Sequence, residues 1–294
     1  MTESLPLQGK FAIITGGARG VGERVVHTLA SKGASILFTH VSSSSLEKSK
    51  AIISTLQEQY PNLKIHSLQN DLSTPEGPRA IIDYAVAHFS STHSNPSTGK
   101  LQIDILVNNA GIAGPQTLED ATAEHFHNLY NTNVLGPLLL TSAAIPYLPH
   151  DRSGRIVNVT SLAGKRASKF VSIYGGTKAA LDSMTRTWAR ELPERATVNS
   201  VVPGPVLTEM YQMSDDFLAA ARPYAQLTPL AQLTEAEQAS GEFSEDQLKF
   251  FDKLGGRPAK AQEVANAVLM VVRPESSWVT GQSIYACGGA HMGL

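Results

Sequence analysis

The sequence predicts an α/β fold in which a parallel sheet is covered by helices on both faces. Two observations carry that expectation. Short, uniformly apolar runs alternate with segments of helical period, and the first run leads straight into a glycine-rich turn. Strands buried on both faces read as continuous apolar stretches, whereas half-exposed strands alternate. The 294 residues are enough for one large α/β domain or two small ones with a sizeable core.

Taken in order, Phe11-Ala12-Ile13-Ile14 is the first strand. Val21, Val25 and Leu29 then recur at helical spacing, and Gly33 stops that helix. Ile36-Leu37-Phe38 is a second buried strand, followed by a helix over Leu46 to Gln59 that Pro61 closes. Lys64 to Leu68 is a third, short strand, and Ile81, Ile82, Ala85 and Phe89 mark the next helix. Ile103 to Val107, Arg155 to Thr160 and Val198 to Val202 supply strands four, five and six. The Ser/Thr/Asn/Pro cluster at about 90–100 falls between a helix and strand four and reads as a surface insertion, not a domain boundary. The stretch at about 208–256 breaks the rhythm with Pro223, Pro229, two acidic helix-like patches and Gly255-Gly256. Its place after the parallel strands suits a lid over an active site; a partly ordered surface insertion is the alternative.

Hydrophobic content of 42% and charged content of 17% are ordinary for a globular protein. The formal net charge of −2, from 24 Lys+Arg and 26 Asp+Glu, gives no basic face for nucleic acid. Cys287 stands alone, so no internal disulfide forms, which fits a reducing compartment. Met1-Thr2-Glu3-Ser4-Leu5-Pro6 lacks a basic start and an apolar h-region. The apolar stretch near Val134 to Ala144 is broken by Gly136 and Pro137, short of the roughly 20 residues a membrane span needs. Met292-Gly293-Leu294 is not a peroxisomal address, and a cytoplasmic location is expected.

The chemistry starts at Thr15-Gly16-Gly17-Ala18-Arg19-Gly20-Val21-Gly22, between strand one and its helix. Glycines there allow a tight turn and close backbone approach, and the helix N-terminus offers free N–H groups to a pyrophosphate. Tyr174 and Lys178 stand four apart, so one helix face carries a phenol and an ammonium. A nearby cation favours the phenolate, so the Tyr174 pKa is expected to fall from about 10 toward the operating pH. The pair can protonate a carbonyl oxygen or deprotonate an alcohol.

Thr15 to Gly22, Asn108-Asn109-Ala110-Gly111, Ser161, Tyr174 with Lys178, and Pro203-Gly204 together resemble the short-chain dehydrogenase/reductase family, in its single-domain subtype of roughly 250 residues. The resemblance runs from about Lys10 to Gly289 and implies a Rossmann-type, doubly wound, mainly seven-stranded parallel sheet in one domain over 1–294. It implies four catalytic residues, Asn133, Ser161, Tyr174 and Lys178. Ser161 lies thirteen positions before Tyr174 (174 − 161) and Asn133 forty-one before it (174 − 133). Asn131 competes with Asn133 for the place of the residue whose backbone fixes a relay water.

The resemblance also implies a nicotinamide cofactor, held by Gly16, Arg19, Gly20, Val21 and Gly22 of the loop, by Tyr174 and Lys178, and by Pro203, Gly204, Val206 and Thr208 at the carboxamide. Asp71 and Leu72 would contact the adenine, with an N-cap role for Asp71 as an alternative. Asn108, Ala110 and Gly111 would line the adenosine side, with Asn108 chiefly a stabiliser of strand ends. An NAD-selective acid at the end of strand two would fall at His40, where there is none. Arg19 supplies a cation and Ser42 and Ser43 supply hydroxyls, which points to NADP(H); a solvated loop charge and turn-forming serines are the alternative.

Gly175 and Gly176 inside the catalytic helix each cost about 1 kcal/mol relative to Ala, so a packing reason is expected. Cys287 should be a small buried residue rather than a reactive thiol. His40, His125 and His127 show no metal-ligand grouping.

These residues imply an NADPH-dependent reductase of a ketone or other carbonyl, with Tyr174 as general acid/base. The alternatives are a cofactor-binding regulator or scaffold, or an epimerase, dehydratase or cyclisation catalyst. Met210, Tyr211, Met213, Phe217, Leu218, Tyr224, Phe250 and Phe251 suggest a largely apolar substrate pocket, or else pin the lid to the body. The two extra segments resemble those of reductases of fungal secondary metabolism. The resemblance further implies a homodimer or homotetramer.

Overall fold

The computed structural model describes residues 5–211 and 215–292. Met213, Gly293, Leu294 and the N-terminal residues Met1 to Ser4 quoted above lie outside them. The chain runs β1 (Phe11–Ile14), α1 (Gly20–Ala30), β2 (Ser35–His40), α2 (Ser45–Gln59), β3 (Ile65–Gln69), α3 (Gly77–Phe89) and β4 (Ile105–Asn108). It continues through α4 (Ala123–Tyr130), a π-helical turn (Asn131–Leu135), α5 (Gly136–Ala144), β5 (Gly154–Val159), α6 (Ser172–Glu191) and β6 (Ala196–Pro203). After β6 come α7 (Asp215–Gln226), α8 (Glu235–Ala239), α9 (Glu245–Leu254), α10 (Ala261–Val272) and β7 (Ser283–Ala286).

All seven strands form one parallel sheet in the order β3-β2-β1-β4-β5-β6-β7. The expected doubly wound, seven-stranded α/β architecture is therefore present. Along β1, Ala12 and Ile14 face one apolar core with Val25 and Leu29 of α1, Leu56 of α2 and Val268 of α10. Phe11 and Ile13 face the opposite core with Ile81 of α3, Leu140 of α5 and Trp188 of α6. Both faces are dry, which is why the strand reads as an unbroken apolar run. Each fully buried side chain of this size contributes about 1.5–3 kcal/mol.

β7 is the strand that no apolar run marks. It is an edge strand paired only with β6, and its four residues are all half-buried. Strand and helix ends otherwise shift by a residue or two. At β4 the strand starts two residues late, at Ile105, because Ile103 N–H bonds Tyr147 O, outside the sheet ladder.

The 90–100 segment folds into a short loop closed by an antiparallel bridge between Ser94 and Leu101. Asn95 Oδ1 accepts from the Ser97 and Thr98 amides. It precedes β4 and so lies at the N-terminal ends of the strands, opposite the cavity described next. The 208–256 segment carries α7, α8 and α9 and has its own small core of Leu218, Ala225 and Leu254, flanked by Tyr211, Ala221 and Phe250. Capping boxes start α8 (Thr234 with Glu237) and α9 (Ser244 with Gln247), which accounts for the two acidic patches as helix first turns.

Candidate active site

β1 and β4 are neighbours although β2 and β3 intervene in sequence, so the winding reverses between them. The crevice at the carboxyl ends of strands at such a switch point is where open α/β sheets bind ligands. Here it is a cavity of about 1030 Å³.

Its inner wall begins with the glycine loop. Gly16 has φ +67, which a glycine adopts without strain. A Cβ at Gly22 would stand 2.1 Å from Gly16 O, so only glycine lets α1 start this close to the turn. The residue before α1, Arg19, makes no side-chain cap, so the amides of the first turn are left for a ligand. Gly16, Arg19, Gly20, Val21 and Gly22 all line the cavity.

At the adenosine end, His40, Ser42, Asp71 and Leu72 line the wall. His40 is buried, with Nδ1 3.1 Å from Ser42 O. Asp71 Oδ1 accepts from Ser73 N at 2.9 Å and Ser73 Oγ at 2.7 Å, closing a turn. This is the expected capping role of Asp71 at the following turn, while at the start of α3 Thr74 Oγ1 accepts from Gly77 N. Arg19 is exposed, and its Nη1 stands 3.5 Å from Glu209. Lys48 Nζ reaches the same carboxylate at 2.9 Å. The sequence does not mark Lys48, in the first turn of α2, or Glu209, because their pairing joins elements far apart in the chain.

Two expected residues fall elsewhere. Ser43 is exposed and outside the cavity wall, because the chain turns outward into α2; Ser42 and Ser45 face in. Asn108 is buried below the floor, and its amide donates to Asn158 Oδ1 at 2.8 Å and Thr141 Oγ1 at 3.1 Å. It ties β4 to β5 and α5 and lines nothing. The cavity takes Asn109, Ala110 and Gly111. Asn109 Nδ2 donates to Thr15 O and Gly16 O and so fixes the glycine loop. Successive residues point to opposite sides of a strand end, so the Asn-Asn pair splits between the two roles.

At the opposite end, Ser161 follows β5, and Tyr174 and Lys178 lie in the first two turns of α6. All three line the cavity. Ser161 Oγ accepts from Ala163 N at 3.2 Å, and its hydroxyl hydrogen-bonds the Tyr174 phenol. Lys178 Nζ donates to Val159 O at 3.0 Å and lies 5.9 Å from the centre of the Tyr174 ring. Pro203, Gly204, Val206 and Thr208 continue the wall after β6. This loop is tethered by a bridge between Val206 and Ala259.

The expected lowering of the Tyr174 pKa is not what this geometry produces. Burial pushes the Tyr174 phenol up, with the Ser161 hydroxyl acting weakly in the other sense. Burial also pushes Lys178 down, to about 8. Desolvation opposes both charges, and the ammonium is engaged with a carbonyl rather than the phenol oxygen. At neutral pH Tyr174 therefore holds its proton.

Asn133 is fully buried within the π-helical turn and is not in the cavity wall. Its Oδ1 accepts from Ile112 N and its Nδ2 donates to Ile112 O, both at 2.9 Å, and to Thr177 Oγ1 at 3.1 Å. It thus links the Gly111 strand end to the turn of α6 that carries Lys178.

The two glycines of α6 have packing reasons. A Cβ at Gly175 would meet Ala163 O at 2.6 Å, and one at Gly176 would meet the Tyr130 hydroxyl at 3.0 Å. Close approach of α6 to the Ser161 loop and to α4 offsets their helix cost. Phe170, four residues before Tyr174, has φ +68 and is held by Gln116 N donating to its carbonyl at 2.7 Å. A left-handed non-glycine residue costs about 1–2 kcal/mol, and the sequence carries no sign of it. Cys287 is buried, as expected.

The aromatic residues of the 208–256 segment divide. Met210, Tyr211, Phe217 and Tyr224 line the cavity, whereas Leu218, Phe250 and Phe251 face the segment's own interior.

A glycine loop at the switch point and a Ser–Tyr–Lys set across the cavity define a dinucleotide-type oxidoreductase fold and site. Residues 10–218 match the family model described as short chain dehydrogenase. The chain belongs to the short-chain dehydrogenase family, as its motifs implied, and is an oxidoreductase acting on CH–OH and C=O groups. It is 43% identical to L-xylulose reductase of Aspergillus niger, across 97% of this chain and 98% of the relative. It is 41% identical to L-xylo-3-hexulose reductase of Hypocrea jecorina, across 98% and 99%. Among solved structures it resembles a blue fluorescent protein from a metagenomic library in complex with NADPH, with a TM-score of 0.78 and 29% identity over 98% of this chain and 100% of that one.

Proposed function

We propose that the protein is an NADP(H)-dependent reductase that converts the ketone of a small, sugar-derived molecule to a secondary alcohol, or runs the reverse. The observation that carries this reading is one continuous cavity with a glycine loop and two cations, Arg19 and Lys48, at one end and Ser161, Tyr174 and Lys178 at the other.

The residues fit a phosphorylated dinucleotide. The Gly16–Gly22 crowding leaves backbone amides where a pyrophosphate would sit. No carboxylate ends β2, and two cations with the Ser42 and Ser45 hydroxyls surround the place of a 2′-phosphate. NADPH, when bound, supplies hydride to the carbonyl carbon. The chain's own part is the proton and the oxygen. Ser161 holds the carbonyl oxygen through its hydroxyl, which turns to it from the Tyr174 phenol, and the protonated Tyr174 delivers its proton there as charge develops. Lys178, charged below about 8, stabilises the phenolate left behind. Asn133 is a positioning residue that sets Gly111 and the Lys178 turn against each other.

The 208–256 segment acts as a lid, and its apolar wall of Met210, Phe217, Ala220 and Ala221 receives the carbon skeleton. The ketose assignment rests on the names of the two fungal relatives. Our reading also includes a homo-oligomer, since Trp278 is 96% exposed and Phe126 and Leu135 are exposed as well. Sedimentation at micromolar concentration would give a monomer if that part is wrong. The buried free thiol accords with a cytoplasmic location, testable by cell fractionation; among the described residues no helix is long and apolar enough to cross a membrane.

Replacing Tyr174 by Phe should lower ketone-dependent NADPH oxidation by about 10²–10⁴-fold while NADPH affinity stays within about twofold. Undiminished turnover in that variant would end the mechanism.

A further inference from the structure

Three cations that line this cavity, Arg24, Arg166 and Lys169, enter no step above, and of these Arg166 is the one packed on an aromatic ring of the lid. It lies five residues after Ser161 and lines the substrate end. Its guanidinium carbon stands 4.1 Å from the centre of the Tyr224 ring on α7. Nη1 donates to Ala290 O at 3.3 Å, near the C-terminal end of the described chain. Nε is buried and has no hydrogen-bond partner among the described residues. Nor does any described carboxylate lie within ion-pair distance of Arg166, although Lys165 beside it pairs with Asp182. A guanidinium carries five donors in a rigid fork and no acceptor. Here one donor is spent on a carbonyl, the charge rests on an aromatic face, Nε is enclosed without a partner, and the side chain borders the cavity with no described carboxylate beside it. A partly buried cation in this state is costly unless an acceptor reaches it. Tyr211 lines the same cavity, and its phenol is close enough to Arg166 to feel the charge, so it is a second polar group beside the guanidinium.

We propose that Arg166 is the specificity-determining residue of the substrate site, and that it binds an acceptor oxygen carried by the substrate away from the reacting carbonyl. Such an oxygen is either a hydroxyl of a polyhydroxylated ketone or a carboxylate of a keto acid. The fork and Tyr211 would hold that end while Ser161 and Tyr174 hold the reacting oxygen, so the substrate is fixed at two points. An apolar ketone would be held at only one. The inference rests on the reductase reading for the location of the reacting carbonyl, but its test can be read without turnover.

The test measures equilibrium binding to the NADPH-loaded Tyr174→Phe enzyme by calorimetry, in the Arg166, Arg166→Met and Arg166→Lys backgrounds. The ligands are L-xylulose, a five-carbon keto acid and 2-pentanone. Loss of hydrogen bonds to a charged group predicts that Arg166→Met weakens the preferred oxygen-bearing ligand by about 10- to 100-fold and 2-pentanone by less than about twofold. Arg166→Lys should restore part of the loss. A loss confined to xylulose assigns a hydroxyl, and one confined to the keto acid assigns a carboxylate. Tyr224→Leu, which removes the ring under the guanidinium but leaves the fork, serves as control for the lid contact.

Equal weakening of all three ligands in Arg166→Met, or the same selective loss in Tyr224→Leu, would make Arg166 a lid strut and overturn the proposal. So would binding of 2-pentanone as tight as that of both oxygenated ligands. Absence of NADPH-dependent turnover in the wild type with ligand binding intact would instead count against the reductase reading alone.

Discussion

The two walls of the cavity are held by different amounts of structure. The inner wall is made of the carboxyl ends of β1, β2, β4, β5 and β6, whose side chains are locked into two continuous apolar cores. The outer wall hangs on α7 and α9, whose shared core has Leu218, Ala225 and Leu254 as its buried residues. Local opening free energies follow buried apolar contact, so the outer wall should open long before the sheet does. On the proposed reading, proton delivery needs groups held to fractions of an ångström, which the inner wall supplies, and substrate entry needs a wall that moves, which the outer one is the better built to be.

That difference can be broken at several points. The largest effect is expected at Asp182, a buried carboxylate of α6. It accepts from Ser200 and Ser283 and pairs with Lys165 and Arg186, fastening the catalytic helix to β6 and β7. Burial acts to raise its pKa, but the bonds from Lys165, Ser200 and Ser283 together outweigh it and hold the group low. Because its folded pKa is below the unfolded value, its stabilisation is present above about pH 4 and is lost as pH falls through the folded pKa. Asp182→Asn should cost about 3–5 kcal/mol of global stability in urea unfolding at neutral pH. It should also flatten the acid limb of the stability profile. A loss confined to the outer wall in hydrogen exchange would contradict the division.

Lys178 tests the inner wall through chemistry. Lys178→Met should lower kcat by about 10²-fold or more. The wild-type lysine is charged below about 8 and neutral above, so reduction should slow as pH rises through about 8. The pH–rate profile of the variant should lack that limb; an unchanged limb would assign it to another group.

Leu218→Ala tests the outer wall. It should cost about 2–3 kcal/mol, felt as faster amide exchange in α7 and α9. The global unfolding midpoint should move little, and a full-sized global shift would mean that the two walls unfold as one. The smallest effect is expected from Arg19→Ala with Lys48→Ala, which should raise KM for NADPH about tenfold and leave that for NADH within about twofold. An equal rise for both would move the phosphate contact elsewhere.

Much of the inner wall was legible in advance. Six strands, the glycine loop and the positions of Ser161, Tyr174 and Lys178 follow from local pattern and from spacing along the chain. Ser43, and the lining role expected of Asn108 beside its stabilising one, differ because a side chain's direction at a strand end depends on where the backbone turns next. The Tyr174 pKa was read in the wrong direction for a related reason. Sequence spacing shows that a cation is near, but only packing shows that both groups are desolvated and that Lys178 donates to Val159 O. Lys48, Glu209 and Arg166 were missed because their relevance comes from contacts across elements far apart in the chain.

The sequence by itself determined the sheet, its winding and the chemical class of the site. Uniform apolar strands require two covered faces, and a glycine loop followed by Ser161, Tyr174 and Lys178 admits few other uses. Only the tertiary structure decided which asparagine supports the loop, what α7 and α9 keep for themselves, and that the Arg166 guanidinium borders the cavity with no carboxylate beside it among the described residues. Those outcomes depend on burial and long-range proximity, which the fold sets.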